Sequence, residues 1–236
     1  MADTIRLNIY RYDPETDAEP FMQTFEVPVF KPGMKLLDAL NHIKWHMDGT
    51  LTFRRSCGEG ICGSDGVNIN GVNGLACITP VAGLRQPITV RPLPSMEVIR
   101  DLVVDMQHFF DQYRSIRPWL QTVTPTPEHE RLQTPAERAE LDGTYECVLC
   151  ACCTTSCPSW WWNGDRFLGP ASLLQASRWI ADSRDEATGE RLDQLEDTYR
   201  LFRCHQIMNC MEACPKELNP TAAIGRIKRM LLVRKS

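Results

Sequence analysis

Cysteine is the residue type that most constrains what this chain can become. Eleven cysteines among 236 residues form three separate groups. The groups are Cys57, Cys62 and Cys77; Cys147, Cys150, Cys152, Cys153 and Cys157; and Cys204, Cys210 and Cys214. An odd count does not suit a closed set of disulfides, and disulfide scaffolds are short secreted chains with a higher share of cysteine. Grouped thiols therefore predict metal ligands.

Composition narrows the class of protein further. Hydrophobic residues make up 43% of the chain and charged residues 24%, which is typical of a globular protein of one to two domains. A net charge of −4 argues against a protein that coats nucleic acid. No apolar run reaches the ~18 residues of a transmembrane helix, and residues 1–10 lack the pattern of a signal or transit peptide. We therefore expect a cytosolic or matrix-side product.

The first hundred residues predict a small α+β domain. Alternating apolar residues predict strands at 5–9 and 25–29, and helical spacing predicts a helix from Lys35 to Asp48-Gly49. Asn70-Gly71 between apolar positions predicts a hairpin, and residues 88–93 predict a last strand.

The rest of the chain predicts helices. An amphipathic pattern predicts a helix over 96–116, and four prolines between 118 and 135 mark a boundary. Thr134-Pro135-Ala136-Glu137 is a capping box with proline at the first helical position. Further helices are predicted at 170–181, at 192–202 and from Asn219-Pro220 onward. The predicted organisation is a first domain over 1–105, a connecting helix and proline-rich linker over 106–135, and an all-α domain over 136–236.

The second cysteine group has the spacing of a bacterial ferredoxin. The run is Cys147-x2-Cys150-x2-Cys153-x3-Cys157-Pro158. In such a run three thiolates bind one cluster and the fourth reaches a second cluster. A structural zinc site is the alternative, but it needs only four ligands in paired knuckles. The register and the following proline favour iron–sulfur clusters.

The third group is a second copy of this run with one thiol missing. It reads Cys204-x5-Cys210-x3-Cys214-Pro215, with Ile207 where the run requires cysteine. The crossed ligand pattern then predicts a [4Fe–4S] cluster on Cys147, Cys150, Cys153 and Cys214. Cys157, Cys204 and Cys210 remain for the other cluster. Since isoleucine cannot bind iron, we predict [3Fe–4S] there; the alternative is a cube completed by water or a partner's ligand.

The first group predicts a [2Fe–2S] cluster. Cys57-x4-Cys62-x2-Asp65…Cys77 matches the plant-type pattern, with aspartate in the third position. Surrounding glycines permit tight turns and let amides approach the sulfides. Because a carboxylate can bind ferric iron, Asp65 is predicted as the fourth ligand; the alternative is a turn residue. Cys152 is left over and is predicted to pack as a small apolar residue.

Together these motifs resemble one family over essentially the whole chain. The matching segments are Arg54-Arg55-Ser56-Cys57, Asn73-Gly74-Leu75-Ala76-Cys77, Arg91-Pro92-Leu93-Pro94, Tyr145-Glu146-Cys147, Cys157-Pro158-Ser159 and Arg203-Cys204-His205. They look like signatures of the iron–sulfur subunit of succinate dehydrogenase and fumarate reductase. The chain is most similar to the bacterial succinate dehydrogenases, some of which also place aspartate where other members carry cysteine.

The resemblance implies a fold, a role and partners. It implies a β-grasp [2Fe–2S] domain followed by a helical ferredoxin-like domain. A separate flavoprotein subunit with FAD would oxidise succinate, so no catalytic residue is expected in this chain. Electrons would pass through [2Fe–2S], [4Fe–4S] and [3Fe–4S] to quinone, linking the tricarboxylic acid cycle to the respiratory chain. Membrane-anchor subunits of the cytochrome b type, with haem b, would hold the chain on the cytoplasmic side of a bacterial inner membrane.

The same resemblance implies a quinone site beside the [3Fe–4S] ligands. The residues at the matching positions are Pro158, Trp162, His205 and Ile207. The Trp162 indole N–H can donate to a quinone carbonyl, and His205 has an unperturbed pKa of ~6.5 that suits proton relay. The alternative is that Trp162 and His205 only pack against anchor helices.

Two further features predict which parts of the surface contact a membrane or solvent. Trp160-Trp161-Trp162 predicts contact with a membrane boundary, against the alternative of core packing. The last helix carries several cations, which suit an anionic membrane face or a solvated surface. They are Arg226, Lys228, Arg229, Arg234 and Lys235. His42 and His46 are four residues apart on a helix, but they lie off its apolar stripe and predict a solvated face.

Three functions remain open on the sequence alone, besides a structural zinc protein. The first is the iron–sulfur subunit of a succinate:quinone oxidoreductase. The second is the corresponding subunit of a quinol:fumarate reductase, which runs the reaction in reverse. The third is a free multi-cluster ferredoxin-like carrier, which the tryptophan triplet and basic tail disfavour.

Overall fold

A computed structural model describes residues 4–235, without the side chain of Lys235. It divides into two compact units. The first runs to Met106 and includes Val148–Ser156; the second consists of Gln107–Cys147 and the chain from Cys157 onward. Residues 1–3 of the N-terminal segment and the predicted Lys235 cation lie outside the described part.

The first unit is built on a five-stranded mixed sheet. The strands are β1 (Thr4–Arg11), β2 (Phe21–Pro28), β3 (Gly66–Ile69), β4 (Val72–Leu75) and β5 (Ile88–Arg91), in the order β2-β1-β5-β3-β4. β1 pairs in parallel with β5 and antiparallel with β2. One helix, α1 (Leu36–His46), contributes the buried Leu36, Leu40 and Ile43 to the core. This is the β-grasp arrangement, so the predicted α+β fold of the N-terminal domain is confirmed.

The predicted helix over 96–116 is wrong in its first half. Val98–Arg100 (β6) and Val103–Val104 (β7) form a two-stranded ladder, and the helix α2 covers only Gln107–Ser115. Branched side chains favour the strands, and Asp101 between them has a φ of 46°. The buried Asp101 carboxylate accepts hydrogen bonds from the N–H of Tyr12 (2.9 Å) and of Thr52 (2.7 Å). These tertiary bonds fix the turn where periodicity alone indicates a helix.

The remaining elements are helices. They are α3 (Pro135–Ala139), α4 (Cys152–Thr155), α5 (Pro158–Asn163), α6 (Gly169–Ala181), α7 (Thr188–Leu195), α8 (Asn209–Glu212) and α9 (Pro220–Lys235). The predicted capping box is confirmed, because the Thr134 hydroxyl accepts from Glu137 N–H at 3.2 Å and the Glu137 carboxylate accepts from Thr134 N–H at 2.7 Å. The predicted helix over 192–202 is wrong after Leu195, where α7 ends. Beyond it, the Asp197 carboxylate accepts hydrogen bonds from the N–H groups of Tyr199 and Arg200 and holds a turn.

The core of the second unit lies between α6 and α9. Ile224, Ile227 and Leu231 of α9 are buried, as their predicted common face requires. Burying a side chain of this size contributes about 1.5–3 kcal/mol, so the α9 face is a main source of stability. Within the described residues after 136 there is no strand, which confirms the helical second domain. None of the described helices is long and apolar enough to cross a membrane.

Candidate iron–sulfur centres

The loop 57–66 wraps its backbone around the Cys57 sulfur. Gly58 and Gly60 have φ values of 76° and 74°, which L side chains rarely adopt, and these turns aim successive amides inward. Cys57 Sγ accepts hydrogen bonds from the N–H groups of Glu59 (3.4 Å), Ile61 (3.3 Å) and Cys62 (3.3 Å). These amides lower the pKa of the Cys57 thiol to about 7. The loop therefore stabilises a thiolate, the form that binds iron.

Asp65 and Cys77 form a buried acidic pair beside this loop. Asp65 is 4% exposed, and its Oδ2 accepts the Cys77 N–H at 2.5 Å. Asp65 Oδ1 is buried without a hydrogen-bond partner. Burial, reinforced by the Asp65 carboxylate, raises the pKa of the Cys77 thiol to about 12. A buried carboxylate next to a buried thiol is costly unless a cation is bound, so this donor set fits an iron ion.

The same loop packs tightly on the segment 148–156. A Cβ on Gly63 would lie 2.5 Å from the Val148 carbonyl oxygen, and one on Gly66 would lie 3.0 Å from the Cys150 carbonyl oxygen. These approaches leave room only for glycine. The first thiol group is thus held against the chain segment that carries Cys150 and Cys153.

The side chain of Asn73 stabilises this contact, a role that the cysteine motifs do not predict. Its Nδ2 donates to the Cys152 carbonyl oxygen (3.1 Å) and to the Thr155 hydroxyl (3.0 Å), while its Oδ1 accepts from Asn68 Nδ2 (2.7 Å). Asn73 is buried in β4. In the sequence, Asn73 begins the matching segment Asn73-Gly74-Leu75-Ala76-Cys77, which carries no information on this contact.

The predicted [4Fe–4S] ligands lie in both units. Cys150 and Cys153 are buried in the first unit, beside the fully buried Cys152. Hydrogen bonding from the Cys152 side chain is the first cause that lowers the pKa of the Cys150 thiol. In the second unit Cys147 and Cys214 pack against one apolar cluster, and Leu218 N–H lies 3.4 Å from Cys214 Sγ.

The two ferredoxin runs share the same local backbone conformation. In the first run Leu149 and Ala151 have φ values of 53° and 63° on either side of Cys150. In the second run Gln206 and Met208 have φ values of 56° and 75° on either side of Ile207. The short helices α4 and α8 begin directly after Ala151 and Met208. Ile207 therefore occupies the same backbone position in its run as the predicted ligand Cys150 does in the first run.

The three predicted [3Fe–4S] ligands line one cavity. Its walls include Cys157, Cys204 and Cys210, and also Pro158, His205, Ile207, Phe167, Pro170, Thr221 and Ile224. Burial raises the pKa of the thiols of Cys157 and Cys210, which favours metal-bound over free thiolates at these positions. The structure thus brings three of the four predicted quinone residues to this cavity. Trp162, 81% exposed, is not among its lining residues.

The tryptophan triplet divides between core and surface. Trp160 is buried, and its Nε1 donates to Gln112 Oε1 at 3.0 Å, which matches the core-packing alternative. Trp161 and Trp162 are exposed, as are Phe202, Ile207 and Met208. These five exposed side chains all belong to the second unit, and we refer to them as the apolar face.

The predicted histidine pair lies outside these sites. His46 is exposed, and the half-buried His42 stacks on Phe30 with ring centroids 5.4 Å apart.

Across residues 4–235 the structure holds no group of three or more His, Cys, Asp or Glu side chains arranged to bind a metal ion.

Fold and site define this chain as a two-domain iron–sulfur protein. Residues 6–111 match the family model described as a 2Fe-2S iron-sulfur cluster binding domain, and residues 146–219 match the 4Fe-4S dicluster domain. Both predicted types of cluster-binding domain are thereby confirmed.

Full-length relatives give the family. The chain is 57% identical over 229 residues to the succinate dehydrogenase iron-sulfur subunit of Paracoccus denitrificans, covering 97% of this chain and 88% of that one. It is 53% identical over 234 residues to the mitochondrial succinate dehydrogenase [ubiquinone] iron-sulfur subunit 1 of Oryza sativa subsp. japonica, covering 98% and 83%. It is also 53% identical over 227 residues to the subunit of Coxiella burnetii, covering 95% and 96%. The chain belongs to the family of succinate dehydrogenase iron–sulfur subunits.

A solved structure shares the fold. A chain of the Mycobacterium smegmatis Sdh1 complex in the apo form superposes with a TM-score of 0.87 at 24% identity. The match covers 100% of this chain and 98% of that one.

Proposed function

We propose that this chain carries electrons one at a time from a succinate-oxidising flavoprotein subunit to membrane quinone. The observation that carries the proposal is the single cavity shared by Cys157, Cys204 and Cys210, with Ile207 in place of a fourth thiol. When bound, iron–sulfur clusters supply one-electron carriers between the two-electron chemistry of FAD and of quinone. The side chains of this protein hold those carriers and set their surroundings.

Three ligand sets follow from the spacing, and local contacts support them. The [2Fe–2S] ligands are Cys57, Cys62, Asp65 and Cys77. The [4Fe–4S] ligands are Cys147, Cys150, Cys153 and Cys214. The [3Fe–4S] ligands are Cys157, Cys204 and Cys210. The unpartnered Asp65 Oδ1 supports the aspartate ligand, since a turn residue would leave that buried atom without a role.

The order of the carriers is supported by the packing of the first unit. Gly63 and Gly66 bring the [2Fe–2S] loop against the backbone that carries Cys150 and Cys153. Asn73 holds that backbone in place. If both clusters are bound, the [2Fe–2S] ligand loop and the [4Fe–4S] ligand segment would be in direct contact, which would favour electron transfer between the two sites.

The quinone site is proposed beside the last ligand set. Pro158, His205 and Ile207 line the cavity of the three thiols, and Trp162 on the apolar face presents an indole N–H to a quinone carbonyl. Anchor subunits of the cytochrome b type, with haem b, would cover the apolar face. Held in this way, the chain would lie peripherally on the cytoplasmic side of a bacterial inner membrane.

Purification from membranes tests the proposal. We expect a flavoprotein and apolar anchor subunits to co-purify with the chain, and succinate to reduce quinone faster than quinol reduces fumarate. A preparation that contains the chain alone, fully loaded with clusters, would instead support a free carrier. Faster fumarate reduction would support the quinol:fumarate reductase alternative.

A further inference from the structure

Thr221 contacts one of the proposed [3Fe–4S] ligands. It lies in the first turn of α9 and is 7% exposed, and its Oγ1 is 3.3 Å from Cys210 Sγ. In a thiol–hydroxyl pair either atom can donate. When Cys210 binds iron it does so as a thiolate, which has no proton. The hydroxyl of Thr221 is then the donor and the sulfur the acceptor.

The Thr221 hydroxyl is not needed to cap its own helix. The N-terminus of α9 is capped by Asn219, whose Oδ1 accepts the Ala222 N–H at 2.8 Å. A threonine in a helix often bonds back to a carbonyl of the preceding turn, but Thr221 lies in the first turn of α9, which has no helical turn before it. The sulfur of Cys210 is therefore the natural partner of this buried hydroxyl.

We propose that Thr221 is a positioning residue that raises the reduction potential of the [3Fe–4S] site through its hydrogen bond to Cys210 Sγ. The inference rests on the proposed function, in which Cys210 is a ligand of that site. One-electron reduction adds negative charge to the cluster, and part of that charge lies on its sulfur ligands. A hydrogen bond to a sulfur that becomes more negative grows stronger, so it favours the reduced state.

Other positive groups near this site also raise its reduction potential, but a substitution at Thr221 leaves them unchanged. The N-terminal end of α9 carries the positive end of the helix dipole, and Lys228 Nζ donates to the Cys204 carbonyl oxygen at 2.8 Å. Thr221→Val has nearly the same shape as threonine and leaves both of these groups in place. Any change in potential in that variant therefore reports the hydroxyl alone.

The experiment is a redox titration of the membrane-purified complex, followed by the EPR signal of the oxidised [3Fe–4S] cluster. Thr221→Val should lower the midpoint potential of the [3Fe–4S] cluster by up to about 59 mV. For one electron, this shift is about a tenfold fall in the equilibrium constant for reduction. Thr221→Ser keeps the hydroxyl and should stay near the wild-type potential. Thr188→Val, at the start of α7, is the matched control, and the [2Fe–2S] and [4Fe–4S] potentials should not move in any variant.

An unchanged [3Fe–4S] potential in an assembled Thr221→Val complex would overturn the inference while leaving the proposed function intact. If the valine variant does not assemble, Thr221→Ala removes the same hydroxyl and is titrated instead. Pulsed EPR in H₂O and D₂O adds a second readout, since wild type and Thr221→Ser should show one exchangeable proton coupling that the variant without the hydroxyl lacks. Absence of any [3Fe–4S] signal from the wild-type complex would contradict the proposed function itself.

Discussion

At the scale of single residues, we expect the side chain at position 207 to determine how many iron atoms the proposed [3Fe–4S] site can hold. Ile207 lies between two residues with left-handed backbone, as Cys150 does in the other run. Ile207→Cys should therefore place a thiolate where the fourth iron binds and convert [3Fe–4S] to [4Fe–4S]. The isotropic S = 1/2 EPR signal of the oxidised protein should disappear in proportion. Ile207→Val is the control and should keep the signal; a persistent signal in assembled Ile207→Cys would show that backbone position is not sufficient.

Asp65 is the second residue whose chemistry is testable directly. Asp65→Cys should keep the [2Fe–2S] cluster with a changed EPR line shape and potential, because a thiolate donates more charge to iron than a carboxylate. Asp65→Ala removes the ligand and should make the cluster labile to dilution and chelators, measured by loss of its visible absorption. An alanine variant that retains the cluster as well as wild type would mean that Asp65 is only a turn residue.

Variants of Trp162 and His205 test whether these two side chains act in quinone reduction. Trp162→Phe keeps most of the packing area and removes the N–H donor, and His205→Ala removes the titrating ring. Both variants should assemble and pass electrons from succinate to an artificial acceptor at the flavin, yet lose most quinone reduction. Trp161→Phe, also on the exposed face, should keep it. Full quinone turnover in Trp162→Phe would refute the donor role, and failed assembly would favour simple packing.

At the scale of elements, the tight approach of two loops predicts an unequal pair of glycine mutants. Gly63 and Gly83 both have positive φ, 68° and 83°, so alanine at either position costs about 1–2 kcal/mol in backbone strain. At Gly83 nothing lies within 4 Å of the new Cβ, whereas at Gly63 the Val148 carbonyl oxygen lies 2.5 Å away. Gly63→Ala should therefore lower the free energy of unfolding by a further ~1–3 kcal/mol relative to Gly83→Ala. Its [2Fe–2S] absorption should also bleach at a lower temperature than that of Gly83→Ala. Equal loss in the two variants would argue that the loops do not pack closely.

The elements also show where local sequence reasoning succeeds and fails. The capping box at Thr134 and the hairpin at Asn70-Gly71 were predicted because the deciding contacts lie within a few residues. The segment around Asp101 was predicted as helix because its turn is held by Tyr12 and Thr52, about ninety and fifty residues away. Hydrophobic periodicity carries no information on such distant bonds.

At the scale of the whole molecule, the thiol groups were predictable because cluster chemistry fixes their spacing along the chain. The supporting residues were not. Asn73 and Thr221 act on segments about eighty and eleven residues away, and neither belongs to a spacing rule. The domain boundaries at 105 and 135 remain predictions. In the structure the short segment Val148–Ser156 belongs to the first unit, although the residues on both sides of it belong to the second. Only tertiary contacts specify this arrangement.

Freeze-quench EPR of the purified complex is the most direct test of electron relay by this chain. After succinate is added, we expect the signal of reduced [2Fe–2S] to appear while the S = 1/2 signal of oxidised [3Fe–4S] disappears. Subsequent addition of quinone should reverse both changes at rates at least as fast as steady-state turnover. Quinone reduction that proceeds while the [3Fe–4S] signal stays oxidised and unchanged, or that proceeds without such a signal, would show that electrons do not reach quinone through this cluster.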